Sequence, residues 1–312
     1  MKNPFKNSER DRKKIVEKQK REIKKLYKEA HDEIKKEVEK LKGKNDTSSV
    51  MRKKYLNSLK KEINSYMKIV DSKTESIIKN NMDLMVLSVF QSNQMYLTDL
   101  GFNFYSNNPM IKKNVVNTIM TGKLYGGKWS LSKAIWGDNA LKQKEISRIV
   151  SKGIIQNKGV YDIAKDLERY LNPNARKKDS WLKSFPGSRR KIDYNAQRLA
   201  RTMVSHAYEE SFVRATINNP FIEAYQWITS GGHNVCTLCM DRELSDRYGL
   251  GPGVFPKDKL PLDHPNGMCT FDIIVTMSDQ EIIDAVADWY YGEGDQIMNK
   301  KIDFFVNDLK NF

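Results

Sequence analysis

Cys236-Thr-Leu-Cys239 and Leu262-Asp-His-Pro-Asn-Gly-Met-Cys269, with 24 residues between Cys239 and His264, hold all three cysteines of the 312 residues and one of the four histidines. Two thiols two residues apart can point at one ion at ~2.3 Å, and an imidazole nitrogen can join them at ~2.0–2.1 Å. Cys236, Cys239, His264 and Cys269 therefore make a closed tetrahedral set, and a closed set is structural rather than catalytic. The expected cofactor is one structural Zn2+. Pro265, Asn266 and Gly267 form a tight reversal that can turn His264 and Cys269 to the same side. Between the two halves, Gly249-Leu-Gly-Pro-Gly-Val-Phe-Pro256 carries few signals of regular structure and needs a pin. Other readings stay open: a Cys236–Cys239 disulfide that leaves Cys269 odd, ordinary buried thiols, or a redox or catalytic use. His233 is a spare donor three residues before Cys236, ranked below His264.

The flanks of this stretch read as strands. Ile222, Ala224, Gln226 and Ile228 alternate with Glu223, Tyr225 and Trp227, and Phe271, Ile273 and Val275 alternate with Asp272, Ile274 and Thr276. The two strands can pair antiparallel around the Cys/His loop. Upstream, the period changes to 3.6. A helix over 192–218 carries Ala196, Leu199, Ala200, Met203, Val204, Ala207, Phe212 and Ala215, and Pro220 stops it. Val160, Ile163, Ala164, Leu167 and Leu171 predict another helix, after Gly153-Ile-Ile-Gln-Asn-Lys-Gly159 has ended the one before. Ser130 is placed to cap a helix with Leu131, Ala134, Ile135 and Trp136, and 139–153 continues with Leu141, Ile146, Ile149 and Val150. Residues 110–120 are helical, and 172–190 form a basic, proline-containing loop. Downstream, Ser278-Asp-Gln-Glu281 is a capping box that opens a helix to about 291, and an amphipathic segment over 295–309 closes the chain.

The N-terminal third is different in kind. Residues 8–43 and 50–80 read as long charged helices with thin apolar stripes, separated by Gly43-Lys-Asn-Asp-Thr-Ser-Ser. Thin stripes on long helices predict a helical hairpin or coiled-coil arm. Residues 81–98 are more apolar and read as a third helix entering a core. The net charge is +15, and residues 1–80 hold 25 Lys+Arg against 13 Asp+Glu, so the remaining residues are close to balance. Lys13, Lys14, Lys18, Arg21, Lys24, Lys25 and Lys28 are the candidate phosphate contacts of this arm. Glu17, Glu22, Glu29, Glu33 and Glu37 interleave with them, which equally fits a solvated helix face. His31 is read as solvated on this arm, and His206 as a residue on the face of its helix. Trp129, Trp136, Trp181 and Trp289 read as core or interface anchors. The N-terminus has no apolar run of a signal peptide, and no apolar run reaches the ~20 residues of a membrane span. A soluble, basic protein made in a cytoplasm, with no membrane partner, is expected.

The fold expected is mainly α with a small β-containing zinc module (α+β). Its parts are a basic helical arm and connecting helix over 1–105, a helical region over 106–220, and a two-stranded zinc-stapled module with C-terminal helices over 221–312.

The order of these features resembles a known family. Gly153-Ile-Ile-Gln-Asn-Lys-Gly159, Ile163-Ala-Lys-Asp-Leu167, Tyr194-Asn-Ala-Gln-Arg-Leu-Ala-Arg-Thr202, Gln226-Trp227, Cys236-Thr-Leu-Cys239 and Asp263-His-Pro-Asn-Gly-Met-Cys269 follow one another as in the phage minor head proteins, the Mu-F-like head morphogenesis proteins. The likeness covers about residues 110 to 276. Two positions depart from it: many members read Thr-Glu where this chain has Thr202-Met203, and many carry a cysteine where Gly267 stands. The resemblance implies a low-copy, non-enzymatic virion component of a tailed bacteriophage head. It would act near the portal in procapsid assembly and in DNA packaging or ejection. The implied partners are the portal protein, the major capsid protein and scaffold proteins, with phage DNA as a further one.

Two alternatives remain. A metal-dependent endonuclease needs a histidine base and further ligands for a catalytic ion, and no histidine follows His264. A general DNA-binding zinc protein would use the arm. No glycine-rich phosphate loop, paired carboxylate site or Ser-His-Asp order is visible.

Overall fold

The computed structural model describes residues 4–102, 109–175, 179–184, 190–231 and 235–311. Ten α-helices and three short strands are seen among them, so the chain is mainly α with a small β part. In order these are α1 (Lys6–Glu39), α2 (Ser49–Asp99), α3 (Pro109–Met120), α4 (Leu131–Ile155), α5 (Val160–Leu171), α6 (Asp179–Ser184) and α7 (Tyr194–Thr216). There follow β1 (Ala224–Ile228), α8 (Thr237–Leu244), β2 (Val254–Pro256), β3 (Thr270–Ile274), α9 (Asp279–Tyr291) and α10 (Gln296–Asn311). Among the described residues no helix is long and apolar enough to cross a membrane.

Several boundaries differ from the sequence expectation, each for a local reason. The helices expected over 50–80 and 81–98 are one 51-residue helix, α2, because neither Asn80 nor Asn81 is a strong enough breaker to stop it. By contrast α4 runs through Gly137 without a break, in line with the continuation expected over 139–153. It ends in a reversal that the asparagine, not a glycine, provides. Asn157 takes φ +54°, its N–H reaches the Ile154 carbonyl and the Lys158 N–H reaches that of Gly153, both at 3.0 Å. Gly153 serves packing instead, since a Cβ there would overlap the Ile163 side chain of α5. The basic loop over 172–190 contains the short helix α6. Ser130 caps α4 as expected, through the Lys133 N–H at 3.3 Å. The capping box of α9 is also present, with the Ser278 N–H donating to Glu281 Oε2 at 2.7 Å.

The chain forms two compact units, each discontinuous in sequence, in place of consecutive blocks. One comprises residues 18–78 and 125–200. Here the N-terminal helices are not a separate arm, because their stripes (Ile23, Leu26, Ile34 and Val38 of α1, Leu56, Ile63 and Met67 of α2) are buried. Polar contacts tie them to α4 and α5. Lys142 Nζ donates to Tyr27 Oη at 2.6 Å and pairs with Asp138 at 2.5 Å, and Asn139 donates to Asp71. His31, expected in solvent, is buried, with Nε2 3.1 Å from Glu168 Oε1.

Burial pushes the Asp71 carboxyl up to about 6, with Lys142 and Asn139 pulling the other way. A carboxyl raised in the folded state binds its proton more tightly there than when unfolded. Its contribution to stability is therefore full below the unfolded value near ~4 and is lost as pH rises through about 6. Because Asp71 keeps solvent contact, the effect is discounted to roughly 1 kcal/mol. Denaturant titrations at pH 4 and pH 7 should show wild type losing that much relative to Asp71→Asn; a constant difference between the two proteins would refute the assignment.

The other unit comprises residues 1–17, 79–124 and 201–312 and contains the sheet. Its strand order is β2-β1-β3, all antiparallel, with Trp227 opposite Phe271 and Tyr225 between Phe255 and Ile273. The module is thus three-stranded rather than two-stranded. β2 has no signature in the sequence, because three residues beside glycines and prolines carry no readable period. One sheet face meets α7: Phe212 lies 5.1 Å from Tyr225 and 5.6 Å from Phe271 between ring centroids. Phe5 at the start of α1 packs on Phe212 at 4.8 Å. Each of these fully buried aromatic side chains contributes roughly 2–3 kcal/mol of burial. A second cluster joins Leu97, Leu100, Phe102 and Phe221 to Ile282, Val286, Ile302, Phe305 and Val306 of α9 and α10.

Candidate metal centre

Both halves of the Cys/His motif are held by helices. Cys236 is the residue that caps α8, with extended backbone at φ −77° and ψ 158°, and Cys239 lies in the first turn. Cys236 makes no capping hydrogen bond through its sulfur, but the nearby N–H groups of Cys239 and Leu238 at the start of α8 hold its thiol below the usual range. A helix N-terminus favours the anionic form, so this thiol is ready to ligate. Cys239 is buried, and burial pushes its thiol up.

The second half is organised by Asp263, whose role here no spacing in the sequence marks. Its side chain is fully buried. Oδ1 accepts the His264 N–H at 2.7 Å, and Oδ2 accepts the Cys269 N–H at 2.9 Å. Cys239 Sγ lies 3.6 Å from Oδ1 and donates its proton there. One carboxylate thereby closes the 263–269 loop. It also explains Gly267, where a Cβ would overlap the Asp263 carboxylate. A thiol cannot stand at 267 in this packing, and the thiol of this half comes from Cys269. Burial, followed by the Asp263 charge, pushes Cys269 up to about 11.

His264 turns its ring so that Nδ1 donates to the Pro265 carbonyl at 3.1 Å. The lone pair of Nε2 is left facing Cys236 Sγ at 3.3 Å. The structure thus brings together the four predicted ligands in two overlapping sets. Cys236, Cys239 and His264 form one, and Cys239, Asp263 and Cys269 the other, with the ligating atoms of each set within 4.8 Å of one another. The cluster could hold a metal ion. His233 lies outside the described residues.

The backbone of this loop rests on α7. Thr202 Oγ1 accepts the Asn266 N–H at 2.9 Å, and Ser205 Oγ donates to the Gly267 carbonyl at 3.0 Å. His206 Nε2 donates to the Asp263 carbonyl at 3.1 Å, and Glu209 Oε2 accepts the Asp263 N–H at 2.9 Å. His206 is therefore a buried anchor rather than a simple face residue. These four lie at i, i+3, i+4 and i+7, one stripe of the helix. Their shared helical spacing is the signal that the sequence offers for them. Burial lowers the His206 pKa and pushes Glu209 up to about 8.

Arg12 of α1 completes the support, 256 residues away in sequence. It donates to the Met268 carbonyl at 3.0 Å and the Cys269 carbonyl at 2.9 Å, and its guanidinium lies 4.3 Å from the Tyr208 ring centroid. It is fully buried. No spacing in the sequence marks it apart from the other cations of α1.

No family model, curated protein or solved structure matches this chain. Its chemistry is therefore read from the donors. Soft sulfur donors and one imidazole, with a buried carboxylate behind them, form a donor set in which a bound cation would offset the cost of ionising buried thiols.

The seven candidate phosphate contacts, Lys13, Lys14, Lys18, Arg21, Lys24, Lys25 and Lys28, are all exposed side chains on α1. Lys14 pairs with Asp11 at 3.7 Å, Lys18 with Glu22 at 3.7 Å and Lys25 with Glu29 at 3.8 Å. Exposed pairs of this kind contribute little stability, so these cations stay open to other anions.

Proposed function

We propose that the chain is a minor capsid, head morphogenesis protein of a tailed bacteriophage, with a zinc ion held by Cys236, Cys239, His264 and Cys269. The observation that carries this reading is the convergence of those four residues, which stand in the order in which the Mu-F-like minor head proteins present them. Zinc is the metal that sulfur-rich tetrahedral sets with one histidine select. Bond lengths of ~2.3 and ~2.0 Å at a tetrahedral angle place sulfur and nitrogen roughly 3.5 Å apart. The Cys236–His264 separation of 3.3 Å is close to that. The protein acts in this reading as a virion component that joins the procapsid near the portal.

The zinc holds a loop in place and does no chemistry. His264, with one ring nitrogen on a carbonyl and the other toward sulfur, is committed as a ligand and is not left as a base. Deleting the gene from a phage that encodes the chain should yield heads that are defective in assembly or lack DNA. Normal infectious heads from the deletion would sink the proposal. The basic face of α1 favours DNA as a further partner. If it tracks phosphates, reversing Lys18, Arg21 and Lys25 to glutamate should lower the log–log salt slope of duplex binding by about 0.9 per lost contact. Binding that ignores salt would remove DNA from the reading.

A further inference from the structure

Helices α9 and α10 form a hairpin whose inner faces are buried on each other, through Ile282, Val286, Ile302 and Phe305. Their outer faces remain apolar and carry opposite charge. Along α9, Ile283, Ala287, Tyr290 and Tyr291 lie at i, i+4, i+7 and i+8 and are all exposed, the two tyrosines at 75% and 74%. Asp284 and Asp288 flank this stripe, and α9 contains four acidic residues and no basic one. Along α10, Ile297, Lys300, Lys301 and Phe304 lie at i, i+3, i+4 and i+7, with Ile297 67% and Phe304 62% exposed.

The α10 stripe forms one wall of a cleft of about 530 Å³, closed on the other side by Ile217, Asn218, Pro220 and Lys257. Three ammonium groups thus rim one apolar cleft. Lys257 donates to the Asn219 carbonyl at 2.9 Å, and burial, then the charge of Lys301, lowers its pKa. Asp308 of α10 accepts from Asn218 at the cleft wall at 2.6 Å, so three lysines stand against one carboxylate there, and the excess of positive charge favours an anionic occupant. The apolar floor, with helical spacing on its wall, favours an amphipathic helix over a bare ion.

We infer that this cleft docks the acidic outer face of α9 from a second copy of the chain, with the α9 and α10 faces of the two copies exchanged about a two-fold axis. Charge complementarity carries the choice of occupant. The stripe Ile283–Tyr290 supplies apolar side chains for the space between Ile297 and Phe304, and Asp284 and Asp288 supply the counter-charges for Lys300 and Lys301. Such an arrangement is self-complementary, as a two-fold contact requires. The inference does not depend on the head-assembly reading or on the metal.

Sedimentation of the full chain over a range of concentrations tests it. Wild type should dimerise, and the dimer should weaken as NaCl rises from 50 to 500 mM. Lys300→Glu with Lys301→Glu, and separately Asp284→Lys with Asp288→Lys, should each weaken association by roughly tenfold or more, since like charges then face each other. These residues are exposed, so melting of either variant should match wild type. Mixing the two variants should restore a dimer of one copy of each, because both contacts then pair opposite charges again. A chain that stays monomeric at low salt and high concentration overturns the inference. So does a dimer that ignores both reversals, or a mixture that fails to reassociate.

Discussion

Cys239→Ser should cost the C-terminal module on the order of 5 kcal/mol or more and release its zinc. The figure is a fraction of the ~10–16 kcal/mol of apparent binding free energy that structural zinc sites of this type supply at neutral pH. Cys239 is the ligand to choose because it belongs to both overlapping donor sets and is buried. Metal analysis of purified wild type should find one equivalent of zinc, and the variant should have none. Chelation of wild type should reproduce the variant's loss. A metal shared by α8 and the 262–269 loop would make both lose amide protection together, while residues 18–78 and 125–200 keep theirs. Chelation that removes no metal and leaves melting unchanged would return Cys236, Cys239 and Cys269 to the class of ordinary thiols.

A second large effect is expected at Asp263. Alanine there leaves the N–H groups of His264 and Cys269 without their acceptor in a buried place. Each bond to a charged group is worth about 1.5–3 kcal/mol, so a loss near 4 kcal/mol is expected. Zinc affinity should fall by about 10- to 100-fold as the loop loses its shape. This fall runs against the electrostatics, because the Asp263 charge raises the Cys269 thiol and removing it would by itself favour the thiolate. Asp263→Asn separates the two effects. It keeps one acceptor, removes the charge and should lose less affinity than alanine. If both variants bind zinc as tightly as wild type, the carboxylate does not position the ligands.

These two sites differ in how far the sequence reveals them. Cys236, Cys239, His264 and Cys269 were legible because the signal lies in residue type: a scarce element concentrated at ligand spacing is visible without a fold. Asp263 and Arg12 were not, because their roles rest on burial and on carbonyls and amides that any residue carries. The polar stripe Thr202, Ser205, His206 and Glu209 lies between these cases, since its period can be read but its target cannot.

The same division holds for the elements. The capping box of α9, the Ser130 cap of α4 and the apolar periods of α5 and α7 act within a few residues, and the chain forms them as expected. Helix α8 escaped because Leu238, Met240 and Leu244 face outward, so its eight residues show no core-facing stripe. The change in composition near residue 81 was real, but it marks the passage of one helix, α2, from one compact unit into the other, at about residue 79. Local backbone chemistry and metal-ligand residue types are written into the chain, and by themselves they determined a mainly α protein with a Cys/His centre. The tertiary structure alone decided that helix α1 is built into compact units rather than held out as an arm. It also decided that a cation 256 residues from the loop supports the centre, because which carbonyl a buried guanidinium meets depends on packing between elements that sequence distance does not encode.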